Sequence, residues 1–216
     1  MTNAASNYLT ARNPHNAIAG HVVTYGNESA QALYVLADVY DTLYFGETLG
    51  QVFVEIGSPG SPNALATCEF RTPEGVAAKL RIAPSVVADS AELAADALLH
   101  EMIHMWQAVS DNLEPGYEGH GPKFAAKCNE IGAILGLPPV GVKGRDGLPN
   151  CAQWPLNVRP VGYYGEGPRA AKAVARATKS KAPKGSAKKT AKKAPRRINW
   201  KLVAKHLARK LKAASK

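Results

Sequence analysis

The stretch LLHEMIHMWQ, residues 98–107, places two histidines and a glutamate where they could bind a metal ion and act on a bound water. Residues four apart on a helix rise by about 6 Å and stay on one face, so His100 and His104 can point at one ion. Imidazole nitrogens bind Zn²⁺ at roughly 2.0–2.1 Å. Glu101 could take a proton from a zinc-bound water as that water attacks a carbonyl. This HExxH pattern predicts a hydrolytic zinc site.

The pattern does not by itself establish a metal site. Two histidines on a helix can also pack or hydrogen-bond without a metal, and HExxH occurs by chance in unrelated proteins. A catalytic zinc needs a third protein ligand. The metzincin spacing is absent, because Gln107 and Ser110 stand where that pattern has its glycine and third histidine.

The candidate for the third ligand is His120, in the segment EGHGPKF. It lies between two glycines, which allow a tight backbone approach, and just before a predicted helix that would hold it in place. A carboxylate could serve instead, since Asp and Glu also bind zinc. Glu114, Glu118 and Glu130 are available, and Glu130 is the alternative to His120. The remaining histidines, His15, His21 and His206, lie before the first predicted helix or in the tail.

Hydrophobic spacing and turn residues predict the elements around this site. Residues 28–45 and 89–110 have helical periodicity, with Asp89 as the predicted N-cap of the second helix. GPKFAAKCNEIGAILG predicts a third helix, with Pro122 in its first turn and Gly136 at its C-terminus. QVFVEI predicts a strand, and ALATCEFR and VAAKLRIA predict a hairpin around the turn TPEG. The expected fold class is α+β, with helices and a small, mostly antiparallel sheet.

The segment that follows is rich in proline and glycine and predicts irregular chain that wraps the body. Trp154, Tyr163 and Tyr164 are its candidate packing anchors. The predicted parts of the chain are an N-terminal extension (1–27), a metallopeptidase-type domain (28–136), the wrapping segment (137–168) and a lysine-rich tail (169–216).

Charge divides the chain into two parts. The 216 residues include 27 basic and 17 acidic ones, with a net charge of +10. Residues 169–216 contain 18 Lys and Arg and no Asp or Glu, which leaves 9 basic and 17 acidic residues, a net charge of −8, in 1–168. A basic tail on an acidic body predicts an anionic partner, most simply nucleic acid.

The tail composition predicts disorder over 169 to about 197, because Lys, Ala, Pro and Ser cannot bury a core. INWKLVAKHLARKLKAASK predicts a short basic amphipathic helix at the end. Contacts to phosphates would be independent of base sequence and sensitive to salt. An anionic membrane and a merely solubilising role are the alternatives. The predicted nucleic-acid contacts are Lys188, Lys189, Lys192, Lys193, Arg196, Arg197, Lys201, Lys205, Arg209 and Lys210.

Three widely spaced cysteines predict no disulfide framework and fit a reducing compartment. No long apolar run predicts a transmembrane helix, and the first residues lack the pattern of a secretion signal. The expected location is the cytoplasm, in association with the nucleoid in a bacterium or its phage.

LLHEMIHMWQ followed by GHGPKFAAKCNEIG resembles the SprT/Spartan family of zinc metallopeptidases, over roughly residues 28–136. The resemblance implies a compact zincin-like fold with His100, His104 and His120 as zinc ligands and Glu101 as general base. It also implies proteolysis of proteins crosslinked to DNA. The chain departs from many bacterial relatives in lacking a four-cysteine zinc ribbon, so the resemblance does not imply DNA targeting, which has to be argued from the tail.

The sequence therefore predicts a zinc-dependent endopeptidase that its tail brings to DNA, where it cleaves DNA-bound or crosslinked proteins. Two other functions remain open. One is a non-enzymatic nucleic-acid-binding protein in which zinc is structural or absent. The other is a zinc peptidase whose tail binds a membrane or an acidic protein.

Overall fold

The computed structural model describes residues 27–50, 52–70, 78–143 and 147–165, together with residues 167, 168, 171, 172 and 175. Several predictions lie outside these residues. They are the N-terminal extension before residue 27, the TPEG turn, the disorder of the tail with its final helix, and every predicted nucleic-acid contact.

The described chain contains helices and one small sheet, as the α+β prediction expected. A π-helical turn, Asp41–Phe45, continues the first helix, and a 3-10 turn, Cys151–Gln153, lies in the segment after the last one. The helices are α1 (Asn27–Tyr40), α2 (Pro84–Asp89), α3 (Ala91–Val109) and α4 (Pro122–Leu135), and the strands are β1 (Val52–Ile56), β2 (Ala66–Phe70) and β3 (Ala78–Ile82).

The sheet has the order β1-β3-β2 and is mixed, so the prediction of a mostly antiparallel sheet is wrong. β2 and β3 pair antiparallel, as the predicted hairpin requires, but β1 pairs parallel with β3. The three strands alternate in direction along the chain, and β3 inserts between the other two. Local periodicity and turn residues predict each strand and the hairpin, whereas the order of strands depends on contacts between distant segments.

Residues alternate across β3 between a buried and a charged face. Ala78, Leu80 and Ile82 are fully buried, and α3 packs against both β2 and β3. On the other face, Lys79 forms an ion pair with Glu55 at 2.8 Å. The period of two directs one face of the sheet to the core and leaves the other to ion pairs near the surface.

Helix α3 lies at the centre of the molecule, in contact with the sheet, α1 and α4. This explains why it is apolar on most of its faces. Its N-cap is Ser90, whose Oγ accepts a hydrogen bond from the Leu93 N–H at 3.2 Å, so the prediction of Asp89 is wrong by one residue. Asp89 instead ends α2, a short helix that periodicity does not separate from α3.

Residues 137–143 and 147–165 pack back onto these helices, and the predicted anchors Trp154, Tyr163 and Tyr164 are all buried, which confirms them. Asn129 of α4 attaches the beginning of this segment through two hydrogen bonds to the backbone of Val140, at 2.8 and 2.9 Å. The wrapping segment is thus part of the core of the fold.

Candidate metal centre

Helix α3 carries His100 and His104 one turn apart on the side that faces the beginning of α4. His120 comes from the loop between α3 and α4, next to Gly121, the N-cap of α4. Gly119 has a φ of +78°, and a Cβ there would lie 3.0 Å from Cε1 of His104. The glycine therefore lets the loop backbone approach the helix closely enough to bring His120 to the other two histidines.

The three imidazoles converge. One nitrogen from each ring can be chosen so that all three lie within 4.8 Å of one another. Nε2 of His100 and Nε2 of His120 are 3.2 Å apart. Two nitrogens bound to one tetrahedral zinc would lie about 3.3 Å apart, so this spacing suits a metal ion. The ring of Phe124 packs against all three imidazoles, with centroid distances of 4.7 to 5.1 Å.

Hydrogen bonds hold the other side of each ring. Nδ1 of His100 lies 2.7 Å from the carbonyl oxygen of Trp154. A carbonyl only accepts, so this nitrogen carries the proton and Nε2 of the neutral ring keeps its lone pair. Nδ1 of His104 lies 3.3 Å from Oε1 of Gln107, and the ring of His120 is hydrogen-bonded to the backbone of Glu118.

Burial keeps the three histidines uncharged, as metal ligands must be. It is the main cause that lowers the pKa of His100 well below its usual value, and repulsion from His104 and His120 adds to it. Burial likewise lowers the pKa of His104 to about 4, and it lowers that of His120. At neutral pH all three rings offer lone pairs.

Glu101 lies on α3 beside these rings and is 8% exposed. Burial raises the pKa of its carboxyl to about 8, against the opposing effect of a hydrogen bond to the backbone of Cys68 in β2. A carboxyl with such a pKa can take up and release a proton near neutral pH.

A cleft of about 690 Å³ opens beside the histidines. His100, Glu101 and His120 line it from one side. Further lining residues come from α3, from the loop between α3 and α4, from the start of β2 and the loop before it, from the wrapping segment around Trp154 and from the beginning of the tail. At that last point, Nζ of Lys172 donates a hydrogen bond to Oδ1 of Asn63 at 3.2 Å. The cleft is large enough for a short stretch of peptide.

The structure thus brings together His100, Glu101, His104 and His120. Glu130, the alternative ligand, is not part of the histidine cluster: it is exposed and forms an ion pair with Lys127 at 2.8 Å. Glu114 accepts a hydrogen bond from the N–H of Lys123 at 2.7 Å. Among the described residues, the three histidines form the one group that could hold a metal ion.

Sequence reasoning missed the groups that support these side chains. Gln107 is treated there only as a departure from the metzincin pattern, although a glutamine among the apolar residues of the last helical turn is a usable signal. Trp154 was predicted as a packing anchor, but its contact with His100 uses the backbone carbonyl, which leaves no trace in residue type.

Within the described residues, none of the helices combines the length and apolar character required to cross a bilayer. Neither a search of the curated proteins nor one of the solved structures gives a significant match. The SprT-like family matches residues 34–144, which include all three histidines and just over half of the 216-residue chain. The match indicates a peptidase-type domain, and its histidines could hold a metal ion. On this evidence the chain belongs to the SprT-like family.

Proposed function

We propose that the protein is a zinc-dependent endopeptidase that cleaves DNA-bound or DNA-crosslinked proteins. The observation that carries the proposal is the convergence of three neutral imidazoles beside a buried carboxyl, at the wall of a cleft. Three histidines that leave a fourth position open are the ligand set of a catalytic zinc site, and an adjacent carboxyl can act as its general base.

In this proposal His100, His104 and His120 hold the zinc. The bound ion supplies Lewis acidity, which polarises the scissile carbonyl and makes water acidic enough to attack near neutral pH. Glu101 takes the proton from the attacking water and returns it to the amine nitrogen as the peptide bond breaks. Glu101 suits both transfers because a carboxyl beside the ion can gain and lose a proton in each cycle.

The tail supports the choice of DNA-bound substrates. Its 18 basic residues contain no acidic residue among them, and each phosphate contact releases counterions. A tether of this kind raises the effective concentration of the peptidase near proteins on the same DNA, without a pocket for one particular sequence. The tail lies almost entirely outside the described residues, so charge alone supports this part.

Glu101→Gln tests the chemistry. The variant keeps the shape of the side chain and the three imidazoles, so zinc content should equal that of the wild type. Cleavage of a basic DNA-binding protein should fall by at least about 100-fold, the usual effect of removing a general base. Glu130→Gln is the matched control, because it makes the same change at an exposed site.

Both zinc content and cleavage are measured for each variant. If the Glu101→Gln variant cleaves at the wild-type rate, Glu101 is not the general base. Loss of zinc from Glu130→Gln, with zinc retained by His120→Ala, would instead identify Glu130 as the third ligand.

A further inference from the structure

We propose that Gln107 is a positioning residue that holds His104 with its proton on Nδ1 and its Nε2 lone pair toward the other imidazoles. The proposal rests on the proposed function only in that these lone pairs serve to bind a metal. Of the three groups that hold the imidazoles, those at His100 and His120 belong to the backbone. Gln107 acts through its side chain, and it can therefore be replaced.

The contacts of Gln107 assign the two ends of its amide. Oε1 lies 3.3 Å from Nδ1 of His104, and Nε2 donates to the carbonyl oxygen of Asn112 at 3.5 Å. The N–H of Asn112 also donates to the backbone carbonyl of Gln107, at 2.7 Å. With Nε2 committed to a carbonyl, Oε1 is the end that faces the ring. An amide oxygen only accepts, so Nδ1 of His104 is the donor.

The position of Gln107 supports a role beyond packing. Its side chain is completely buried, in the last turns of a helix whose other buried residues are mostly apolar. Burying an amide without partners is unfavourable, so a glutamine here needs the hydrogen bonds that it makes. It lies three residues after His104, a spacing that places the two side chains on one face of α3.

The opposite side of the ring is also confined. A Cβ at Gly119 would lie 3.2 Å from Nδ1 of His104, so the loop backbone passes directly beside the imidazole. Gln107 then determines which nitrogen carries the proton, and the loop limits rotation of the ring. Through Asn112 the same glutamine also attaches the beginning of the loop that carries His120. One side chain thereby contacts His104 and also helps to fix the loop that positions His120.

The test compares Gln107→Met and Gln107→Glu with the wild type. Methionine has a similar length and no strong acceptor, whereas glutamate keeps an acceptor for His104 and loses the donor to Asn112. The first measurement is made on metal-free protein, where nitrogen-15 shifts of the His104 ring show which nitrogen is protonated. We expect Nδ1–H in the wild type and in Gln107→Glu, and a mixture of both tautomers in Gln107→Met.

The second measurement is zinc affinity, by competition with a chromogenic chelator. Outer partners of zinc-bound histidines typically contribute about 10–100-fold in affinity, and we expect Gln107→Met to lose that much. Gln107→Glu should remain within about threefold of the wild type or bind zinc more tightly. Equal losses in both variants would mean that the bond to Asn112, and not the acceptor for His104, accounts for the effect. That result would overturn the proposal.

The measurements separate this proposal from the proposed function. A wild-type protein with Nε2–H at His104 overturns the positioning role, even if Gln107→Met does not fold. Unchanged zinc binding and cleavage in Gln107→Met would also overturn the positioning role, but would leave the proposed peptidase function intact. If the wild type binds no zinc but the tautomer still depends on residue 107, the proposed function fails and the positioning role remains.

Discussion

Asp96 and Arg159 form an ion pair inside the protein, one turn of α3 before His100. Their side chains are 0% and 1% exposed, and two hydrogen bonds of 2.7 Å join the guanidinium to the carboxylate. The hydroxyl of Tyr164 donates a further hydrogen bond to Asp96 at 2.8 Å. This network fastens the wrapping segment to the helix that carries the candidate ligands.

We expect Asp96→Asn to lower the free energy of unfolding by about 3–5 kcal/mol, because it leaves a buried guanidinium without its charge partner. Tyr164→Phe removes one hydrogen bond to a charged group and should cost about 1.5–3 kcal/mol. Glu130→Gln should cost less than either, because the Glu130 carboxylate is exposed to solvent, although its partner Lys127 is buried. Urea unfolding of the three variants checks the order, and a loss at Asp96 as small as that at Glu130 would contradict it.

The buried histidines predict acid sensitivity of the metal-free protein. Burial lowers the pKa of His104 from 6.5 to about 4, so between these values only the unfolded chain binds the proton. Stability must then fall as the pH falls from about 6.5 to about 4, by up to about 1.4 kcal/mol per pH unit for this ring. His100 and His120 act in the same direction.

Glu101 acts in the opposite direction, because burial raises its pKa to about 8 and the fold favours its neutral form. Because three imidazoles oppose one carboxyl, the net effect is that the free energy of unfolding falls as the pH is lowered. The check is urea unfolding in chelator between about pH 7 and about pH 5. The variant His104→Gln should show a shallower dependence on pH, and a wild type with unchanged stability over this range would contradict the prediction.

Among the connecting elements, the loop between α3 and α4 determines where His120 lies. Gly116 and Gly119 both have positive φ, at +87° and +78°, but only at Gly119 would a Cβ meet the ring of His104. At Gly116 nothing lies within 4 Å of such an atom. Substitutions at the two glycines therefore distinguish the effect of backbone strain from the effect of contact with His104.

We expect Gly116→Ala and Gly119→Ala each to cost about 1–2 kcal/mol of stability from the left-handed backbone. Only Gly119→Ala should also weaken zinc binding, since its methyl group would displace His104 or the loop. Thermal unfolding and zinc competition on both variants provide the check. An equal effect on zinc affinity at the two positions would show that strain in the loop, and not contact with His104, is responsible.

At the scale of the whole molecule, the tail begins at the cleft. Lys172 and Ala175 line it, so a truncation immediately after Pro168 would alter the candidate site as well as remove charge. A chain that ends at Ser180 keeps both residues and loses all ten of the predicted nucleic-acid contacts. It is therefore the better variant for separating binding to DNA from catalysis.

We expect this shortened chain to keep its stability, its zinc and its basal cleavage of a free protein, and to lose cleavage that depends on DNA. Duplex binding by the full chain should weaken with a log–log salt slope of about −0.9 per phosphate contacted, and the slope should be much smaller after truncation. Comparison with anionic vesicles distinguishes the partners. Tighter binding to vesicles than to duplex would favour the membrane alternative.

Much of the candidate site could be predicted from the sequence because its chemistry is local. His100, Glu101 and His104 follow from helical spacing, since four residues make about one turn. The glycines beside His120 and the Pro122 and Gly136 ends of α4 are also local signals, and the structure confirms these helix ends. The division of charge along the chain is a property of the sequence alone.

Only the tertiary structure decided which candidate joins the histidine pair, and how the rings are held. His120 and Glu130 were both open choices, and the close approach of the loop at Gly119 selects His120. The Trp154 carbonyl, the partners of Asp96 and the parallel pairing of β1 join residues far apart in the chain. Such contacts depend on where backbones meet after folding, and backbone groups are the same in every residue type except proline, which lacks the N–H. For this reason residue types and spacing predicted the chemistry, whereas packing determined its geometry.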